Sequence, residues 1–333
     1  MPVRLAINGL GRIGRSALRI ALGCEPLQVV AVNDLAEASA LAYLLRYDSV
    51  LGRWDAPVEE RGGVLTVGGR EIRALREEDP SRLPWTELGV DVVLECTGIH
   101  TRRERAALHL AAGAARVVIS ASSDDADVTL VRGVNEEHFD PSRHRVISNG
   151  SCTGNGLAPV LRILDAAFGV SHGFVTTIHP YTSDQSLLDR PHPDRRLGRA
   201  AALSIIPTVT GVPRAIAHVL PGFDGRLEGN SIRVPTPDVC LLDLTASLAR
   251  PAPATAVNAA LREAAEGPLR GILGYSEEPL VSADYVGCPL SAVVDGPQTS
   301  RSGADLVKVL LWFDNEWGYA NRLVEVARLV SRG

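Results

Sequence analysis

The residues with the clearest chemistry lie mid-chain, in Ser148-Asn149-Gly150-Ser151-Cys152-Thr153-Gly154-Asn155. A cysteine between two hydroxyl residues, with glycine on either side, allows a sharp turn that aims a thiol into a cleft. Leu157, Val160, Leu161 and Leu164 then recur at helical spacing, so Cys152 falls in the first turn of a helix, where the dipole favours thiolate. A lone cysteine is often only a small buried hydrophobe, but the polar neighbours here argue for a nucleophile. A partner base follows. Gly173 to Ile178 reads as a strand that delivers His179-Pro180-Tyr181-Thr182, and a Cys–His pair makes an activated nucleophile with an acid–base group. Further along, Thr208-Val209-Thr210-Gly211 offers hydroxyls and a glycine amide to an anion. In Ile232 to Pro237, Arg233 interrupts an apolar strand, which is costly unless it meets an anion or a carboxylate.

A second constellation opens the chain. Val3 to Asn8 reads as a buried strand, Gly9-Leu10-Gly11-Arg12-Ile13-Gly14 as a tight turn, and Ser16 to Leu22 as a helix. This is G-x-G-x-x-G between strand and helix, with the helix N-terminus aimed at a pyrophosphate. The next strand, Leu27 to Asn33, ends at Asp34, 20 residues past Gly14, where a carboxylate accepts hydrogen bonds from an adenosine ribose and repels a 2'-phosphate. NAD is therefore favoured over NADP.

These groups need elements to hold them. Ala38 to Arg46 reads as helix, Trp54 to Arg73 as an appended hairpin, Val90 to Cys96 as a buried strand stopping at Thr97-Gly98, and Arg102 to Ala112 as helix. Arg116 to Ile119 is the next strand, with Ser120 to Ser123 as its loop. That alternation predicts an α/β fold, a Rossmann-type doubly wound parallel sheet. The second half predicts an α+β catalytic domain with a mixed or antiparallel sheet. Its pieces are a polar loop from Ser183 to Ala202 carrying Arg190, Arg195, Arg196 and Arg199, a strand from Cys240 to Leu248 and a helix from Ala254 to Glu266. Strands follow near Leu280-Val281 and from Leu306 to Phe313, then Asp314 to Tyr319 and a closing helix from Asn321 to Val330. The expected domains are 1–150, with the segment 318–333 packing back on it, and 151–317.

The 333 residues carry a net charge of -5, which argues against nucleic acid or a membrane surface as partner, and no apolar run is long enough to span a bilayer. Five widely spaced cysteines without a C-x-x-C pair predict neither a disulfide framework nor a metal site, and suit a reducing, cytoplasmic compartment. No signal peptide is read at the start of the chain.

Asn8 to Arg15, Ser151-Cys152-Thr153, Arg233-Val234-Pro235-Thr236-Pro237 and Asp314 to Tyr319 together resemble the phosphorylating glyceraldehyde-3-phosphate dehydrogenase family, in the same order and across essentially the whole chain. The resemblance implies NAD-linked oxidation of an aldehyde phosphate to an acyl phosphate through a cysteine thioester, usually by a homotetramer. It makes Cys152 the nucleophile and His179 the base. Thr182 and Arg233 match the site for the substrate's phosphate, with Arg196 and Arg199 as further anion contacts. Ser151, Thr153, Thr210 and Gly211 match the site for inorganic phosphate. Asn315 and Tyr319 match positions near the nicotinamide, while Gly9, Gly11, Arg12, Ile13, Gly14, Asp34, Thr97 and Ser120 fall to the rest of the cofactor; Pro191, like Asp34, accompanies NAD preference. Gly154 and Gly156 depart from the family's second threonine and second cysteine, and Leu197-Gly198 interrupts an arginine-rich run. Arg190 adds positive charge that would sit near the ribose. Leu83 to Asp91 and Val294 to Thr299 look closer to the sister erythrose-4-phosphate dehydrogenases, whereas Tyr181-Thr182 and Thr210-Gly211 follow the three-carbon pattern at the phosphate sites. Retention of Cys152, His179, Arg233 and the glycine loop argues against a catalytically idle NAD-binding homologue.

Overall fold

Alternation of apolar side chains along short strands puts neighbours on opposite faces of a sheet, and helices are needed on both faces to bury them. The structure, a computed structural model describing residues 2–332, divides into two compact units, Met1–Ser151 with Ala320–Gly333 and Cys152–Tyr319.

In chain order the first unit contains β1 (Val3–Asn8), α1 (Arg12–Leu22), β2 (Leu27–Asn33), α2 (Ala38–Arg46), the two-residue strands β3 (Tyr47–Asp48) and β4 (Gly52–Arg53), β5 (Val58–Arg61), β6 (Val64–Val67) and β7 (Arg70–Leu75). It continues with α3 (Trp85–Leu88), β8 (Val92–Glu95), α4 (Arg103–Ala106), α5 (Leu108–Ala111), β9 (Arg116–Ile119), β10 (Val128–Thr129) and β11 (Val146–Ser148). Nine strands form one sheet in the order β10-β11-β9-β8-β1-β2-β7-β6-β5, all parallel except the β5–β6–β7 meander. Strand order reverses on either side of β1, which leaves a crevice at the carboxyl ends of β1 and β8. Leu5, Ile7, Val92 and Leu94 fill the core on one face, and Ala6, Val93, Val117 and Trp85 fill the other. Ala320, Leu323, Val324, Ala327 and Val330 join the first of these cores.

The second unit holds α6 (Cys152–Phe168), β12 (Val170–Pro180), β13 (Ile206–Thr208), α7 (Val212–Val219), β14 (Leu227–Val234), β15 (Cys240–Leu248) and α8 (Ala254–Glu266). After these come β16 (Leu273–Ser276), β17 (Ala292–Ser302) and β18 (Leu306–Phe313); α9 (Trp317–Val330) starts in this unit and from Ala320 onward belongs to the first. Its seven-stranded sheet, β13-β14-β12-β15-β18-β17-β16, is mixed: β12 runs parallel to β14 and antiparallel to β15.

Several expectations are corrected. Leu280-Val281 is not a strand: the Asp284 carboxylate accepts from the Val281 amide and turns the chain into a short 3-10 helix, Ser282–Tyr285. β16 and β17 were missed, the latter because Gly296-Pro297 reads as a turn yet is absorbed at an irregularity in the β17–β18 ladder. The helix over Arg102 to Ala112 is two single turns, broken where the Leu110 amide bonds back only three residues to Ala107.

Candidate active site

Cys152 is the first residue of the 17-residue α6. The turn before it depends on Gly150, whose φ of 63° is the left-handed conformation that side chains resist. The Gly150 amide donates to the Ser148 hydroxyl, which in turn donates to the Ala121 carbonyl. The sequence-derived placement at a helix start therefore holds, but the expected thiolate bias does not. Burial pushes the Cys152 thiol above its ordinary range, outweighing hydrogen bonds at Thr153 and the positive charge of Arg233. A protonated thiol would need a base to act as a nucleophile, and His179 Nε2 lies 4.0 Å from the Cys152 sulfur. His179 lies within β12 rather than in the loop beyond it.

The parallel register of β12 and β14 sets Arg233 directly opposite His179. Arg233 Nη1 donates to the Pro180 carbonyl at 3.2 Å and lies 2.5 Å from His179 Nδ1. The same Nδ1 is 2.8 Å from the Pro180 oxygen. The Pro180 oxygen can only accept and the Arg233 guanidinium can only donate, so the two contacts at Nδ1 call for opposite tautomers; the one protonated on Nδ1 leaves the Nε2 lone pair facing the thiol, as a general base requires. Arg233 Nε is buried without a hydrogen-bond partner, so the guanidinium keeps donor capacity for an anion.

The other anion-site candidates separate into two groups. Thr210 and Gly211 stand at the start of α7, with Gly211 as the N-cap and the Thr210 hydroxyl accepting from the Val212 amide. A Cβ on Gly211 would touch nothing, so there is room for a ligand at this helix N-terminus. Thr153 is buried in the first turn of α6 and touches Cys152, and Ser151 precedes that helix directly. Arg196 reaches the Pro207 carbonyl on β13. Thr182 and Arg199 are engaged within their own loop: the Thr182 hydroxyl donates to Asp184, and exposed Arg199 is held by Asp189 at 2.9 Å. Arg190 is folded onto its own loop by the Ser186 hydroxyl. The Leu197-Gly198 departure has a steric cause, because a Cβ on Gly198 would lie 2.6 Å from the Arg190 carbonyl oxygen.

Asn315 is buried, and its side-chain oxygen accepts from the Cys240 thiol at 3.5 Å. Cys240, which the sequence reading missed, is fully buried, and burial first and the neighbourhood of Cys152 second push its thiol well up. No local motif marks it; only the pairing of β15 in the sheet brings it there. Tyr319 is buried in α9. Asp314 accepts from the Glu316 and Trp317 amides and so caps that helix. Asp238, buried beside Asp314 and Glu316, has its carboxyl pushed up to about 8 by burial and by the neighbouring charges.

In the first unit, the glycines of the loop have separable roles. A Cβ on Gly9 would lie 2.8 Å from the Thr97 amide, and one on Gly14 would lie 1.9 Å from the Gly9 carbonyl, so both serve close backbone packing. A Cβ on Gly11 would meet nothing within 4 Å, the space a pyrophosphate needs at the N-terminus of α1. Asp34 Oδ2 accepts from the Leu10 amide at 2.8 Å, placing the ribose-type carboxylate against this loop. Ile13 packs on the core, Arg12 is the first residue of α1, Thr97 donates to Glu95, and the Ser120 amide bonds the Glu95 carbonyl. The cradle fits NAD.

A strand-order switch bearing this loop, joined in sequence to a unit with a Cys–His pair beside an arginine, fits an NAD-dependent dehydrogenase. The profile described as "Glyceraldehyde 3-phosphate dehydrogenase, NAD binding domain" matches residues 3–103, and the corresponding C-terminal domain matches residues 151–315. The glyceraldehyde-3-phosphate dehydrogenase of Geobacillus stearothermophilus is 52% identical over 331 residues, covering 99% of each chain. Glyceraldehyde-3-phosphate dehydrogenase 1 of Bacillus subtilis (strain 168) is 51% identical, over 100% of this chain and 99% of its own, and the Kitasatospora aureofaciens enzyme is 50% identical over 329 residues. The chain belongs to the glyceraldehyde-3-phosphate dehydrogenase family.

Proposed function

We propose that the protein oxidises glyceraldehyde 3-phosphate to 1,3-bisphosphoglycerate with NAD and inorganic phosphate, through a thioester on Cys152. The observation that carries this reading is the 4.0 Å approach of Cys152 sulfur and His179 Nε2 with Arg233 packed beside the ring. Cys152 gives its proton to His179 Nε2 as its sulfur bonds the aldehyde carbon, and His179 returns that proton to the carbonyl oxygen to complete a hemithioacetal. His179 Nε2 then takes the hydroxyl proton of the resulting hemithioacetal. NAD, when bound, accepts the hydride that leaves that carbon. Inorganic phosphate attacks the thioester carbonyl and releases the Cys152 sulfur with the acyl phosphate as product. Arg233 binds the substrate's own phosphate, and Thr210 and Gly211 at the start of α7 receive the attacking one.

The oligomer and the setting belong to the same reading. Leu187, Leu188, Leu203, Ile205 and Val209 are exposed apolar side chains of one stretch of chain, which supports burial against further copies in a homotetramer, testable by light scattering. Five free cysteines support a reducing, cytoplasmic environment, and no helix among the described residues is long and apolar enough to cross a membrane. The deciding assay is NADH formation with glyceraldehyde 3-phosphate and with erythrose 4-phosphate, each with and without phosphate. Phosphate-dependent preference for the three-carbon aldehyde is expected. Preference for the four-carbon sugar would move the chain to the sister activity, and NAD binding without turnover would make it an idle homologue.

A further inference from the structure

The first unit contains a buried polar chain that none of the catalytic steps uses. Asn33, Asn8 and Glu95 are the last residues of β2, β1 and β8, and they stand side by side in register. Their side chains are joined across the sheet: Asn33 Nδ2 donates to Asn8 Oδ1 at 2.7 Å, and Asn8 Nδ2 donates to Glu95 Oε2 at 2.6 Å. Glu95, 1% exposed, also takes His109 Nε2 at 2.9 Å on that oxygen, and the Thr97 amide and hydroxyl on the other. At the far end the Trp85 indole N–H donates to His109 Nδ1 at 2.9 Å. An indole can only donate, so Nδ1 accepts and the ring proton sits on Nε2, directed at Glu95. Burial by itself would raise the Glu95 pKa, but the bonds from His109, Thr97 and Asn8 hold it below its ordinary value, so the carboxylate is ionised and satisfied on both oxygens.

Each strand in this ladder ends at a loop of the cofactor cradle. Asn8 precedes Gly9, Asn33 precedes Asp34, and Glu95 holds Thr97. Asn33 also clamps the backbone of Glu77 through two bonds, at 2.8 and 2.9 Å. We propose that the ladder Asn33–Asn8–Glu95–His109–Trp85 is a positioning device for the NAD site, with Glu95 setting the spacing of the three loops that must contact one dinucleotide together. The proposal rests on the assignment of the glycine loop and Asp34 to NAD. It explains why a fully desolvated carboxylate is retained where an apolar side chain would pack at lower cost: four convergent donors fix three loop origins relative to one another, which no apolar contact would do with the same directionality.

The test measures NAD and ADP-ribose binding by titration calorimetry on the whole protein, with the apoprotein melting temperature and the alkylation rate of Cys152 recorded in parallel. Glu95→Gln is expected to weaken both ligands by about tenfold or more, since a bond to a charged acceptor is lost and the loop spacing relaxes. Turnover at saturating NAD, the KM for the aldehyde and Cys152 alkylation are expected to stay near wild type. His109→Gln, which keeps an N–H for Glu95, is expected to bind NAD within about threefold of wild type, while His109→Leu should fall with Glu95→Gln. A lowered melting temperature with unchanged NAD affinity in Glu95→Gln and His109→Leu would make the ladder structural only and overturn the proposal. Should Glu95→Gln not fold, the His109 pair decides alone. Asp34→Ala separates the two levels: wild-type NAD affinity in that variant removes the site assignment itself, whereas weakened binding there with intact binding in the Glu95 and His109 variants removes only the ladder.

Discussion

Gly11 and Gly14 lie three residues apart in one loop, yet replacing each with alanine should produce opposite phenotypes. In Gly14→Ala the new methyl would be 1.9 Å from the Gly9 carbonyl oxygen, so α1 must move away from β1 by about 1.5 Å to restore ordinary contact. Overpacking of this kind costs about 1–3 kcal/mol, which lowers the melting temperature of a domain this size by several degrees. Gly11 sits at φ -65° and ψ -164°, an extended conformation alanine adopts freely, with no protein atom within 4 Å of the added methyl. The apoprotein should therefore melt at the wild-type temperature or slightly above it, because alanine narrows the unfolded ensemble. Only the ligand meets that methyl. Losing one charge-assisted amide–phosphate bond costs about 1.5–3 kcal/mol, so NAD should bind about 10- to 150-fold more weakly to Gly11→Ala. Calorimetric melting of the apoproteins and NAD titration of both variants make the comparison, with Cys152 alkylation as a check that the second unit is intact. Wild-type NAD affinity in Gly11→Ala, or an apoprotein as unstable as Gly14→Ala, would refute the division of roles.

Cys152→Ser should abolish aldehyde oxidation while leaving NAD binding intact, and residual full activity would sink the nucleophile assignment. His179→Asn should lower the oxidation rate by about two to four orders of magnitude with NAD affinity retained; a smaller loss would mean another group takes the proton. Asp34→Ala should relax discrimination against NADP, measured as the ratio of kcat/KM values for the two cofactors, and an unchanged ratio would remove Asp34 from cofactor choice. Asp238 has a folded pKa raised to about 8, so the folded state binds the extra proton and stability falls as pH rises from the ordinary carboxylate range through 8. Asp238→Asn should therefore stabilise the protein at pH 8.5 by on the order of 2 kcal/mol and little at pH 4, read from denaturant melts; equal effects at the two pH values would contradict this.

Local pattern and local backbone chemistry made much of the protein legible. The glycine loop, the carboxylate at the end of the second strand, Cys152 at a helix start, and helices such as Ala38–Arg46 and Ala254–Glu266 depend on spacing, turn residues and periodicity, all encoded within a few residues. Reading failed where the determinant was distant. β17 carries Gly296-Pro297 and becomes a strand only because β18 is there to pair with it. Leu280-Val281 was apolar enough for a strand, but the Asp284 cap decided otherwise.

The same division governs the chemistry. Sequence identified Cys152, His179 and Arg233 as candidates, but only the β12–β14 register placed the arginine against the imidazole, and only burial raised the thiol that its helix position would have lowered. Thr182 and Arg199 matched the family pattern, yet nearby carboxylates hold both. Glu95, His109 and Trp85 look unremarkable along the chain, being a strand end and two residues of single-turn helices. Their bonds join positions 14 and 24 residues apart, and Asn8 meets Glu95 across 87. A sequence specifies which groups are available and the periods on which they repeat. Which of them meet, and in what dielectric, depends on contacts between segments that share no local pattern, and tertiary packing alone decides that.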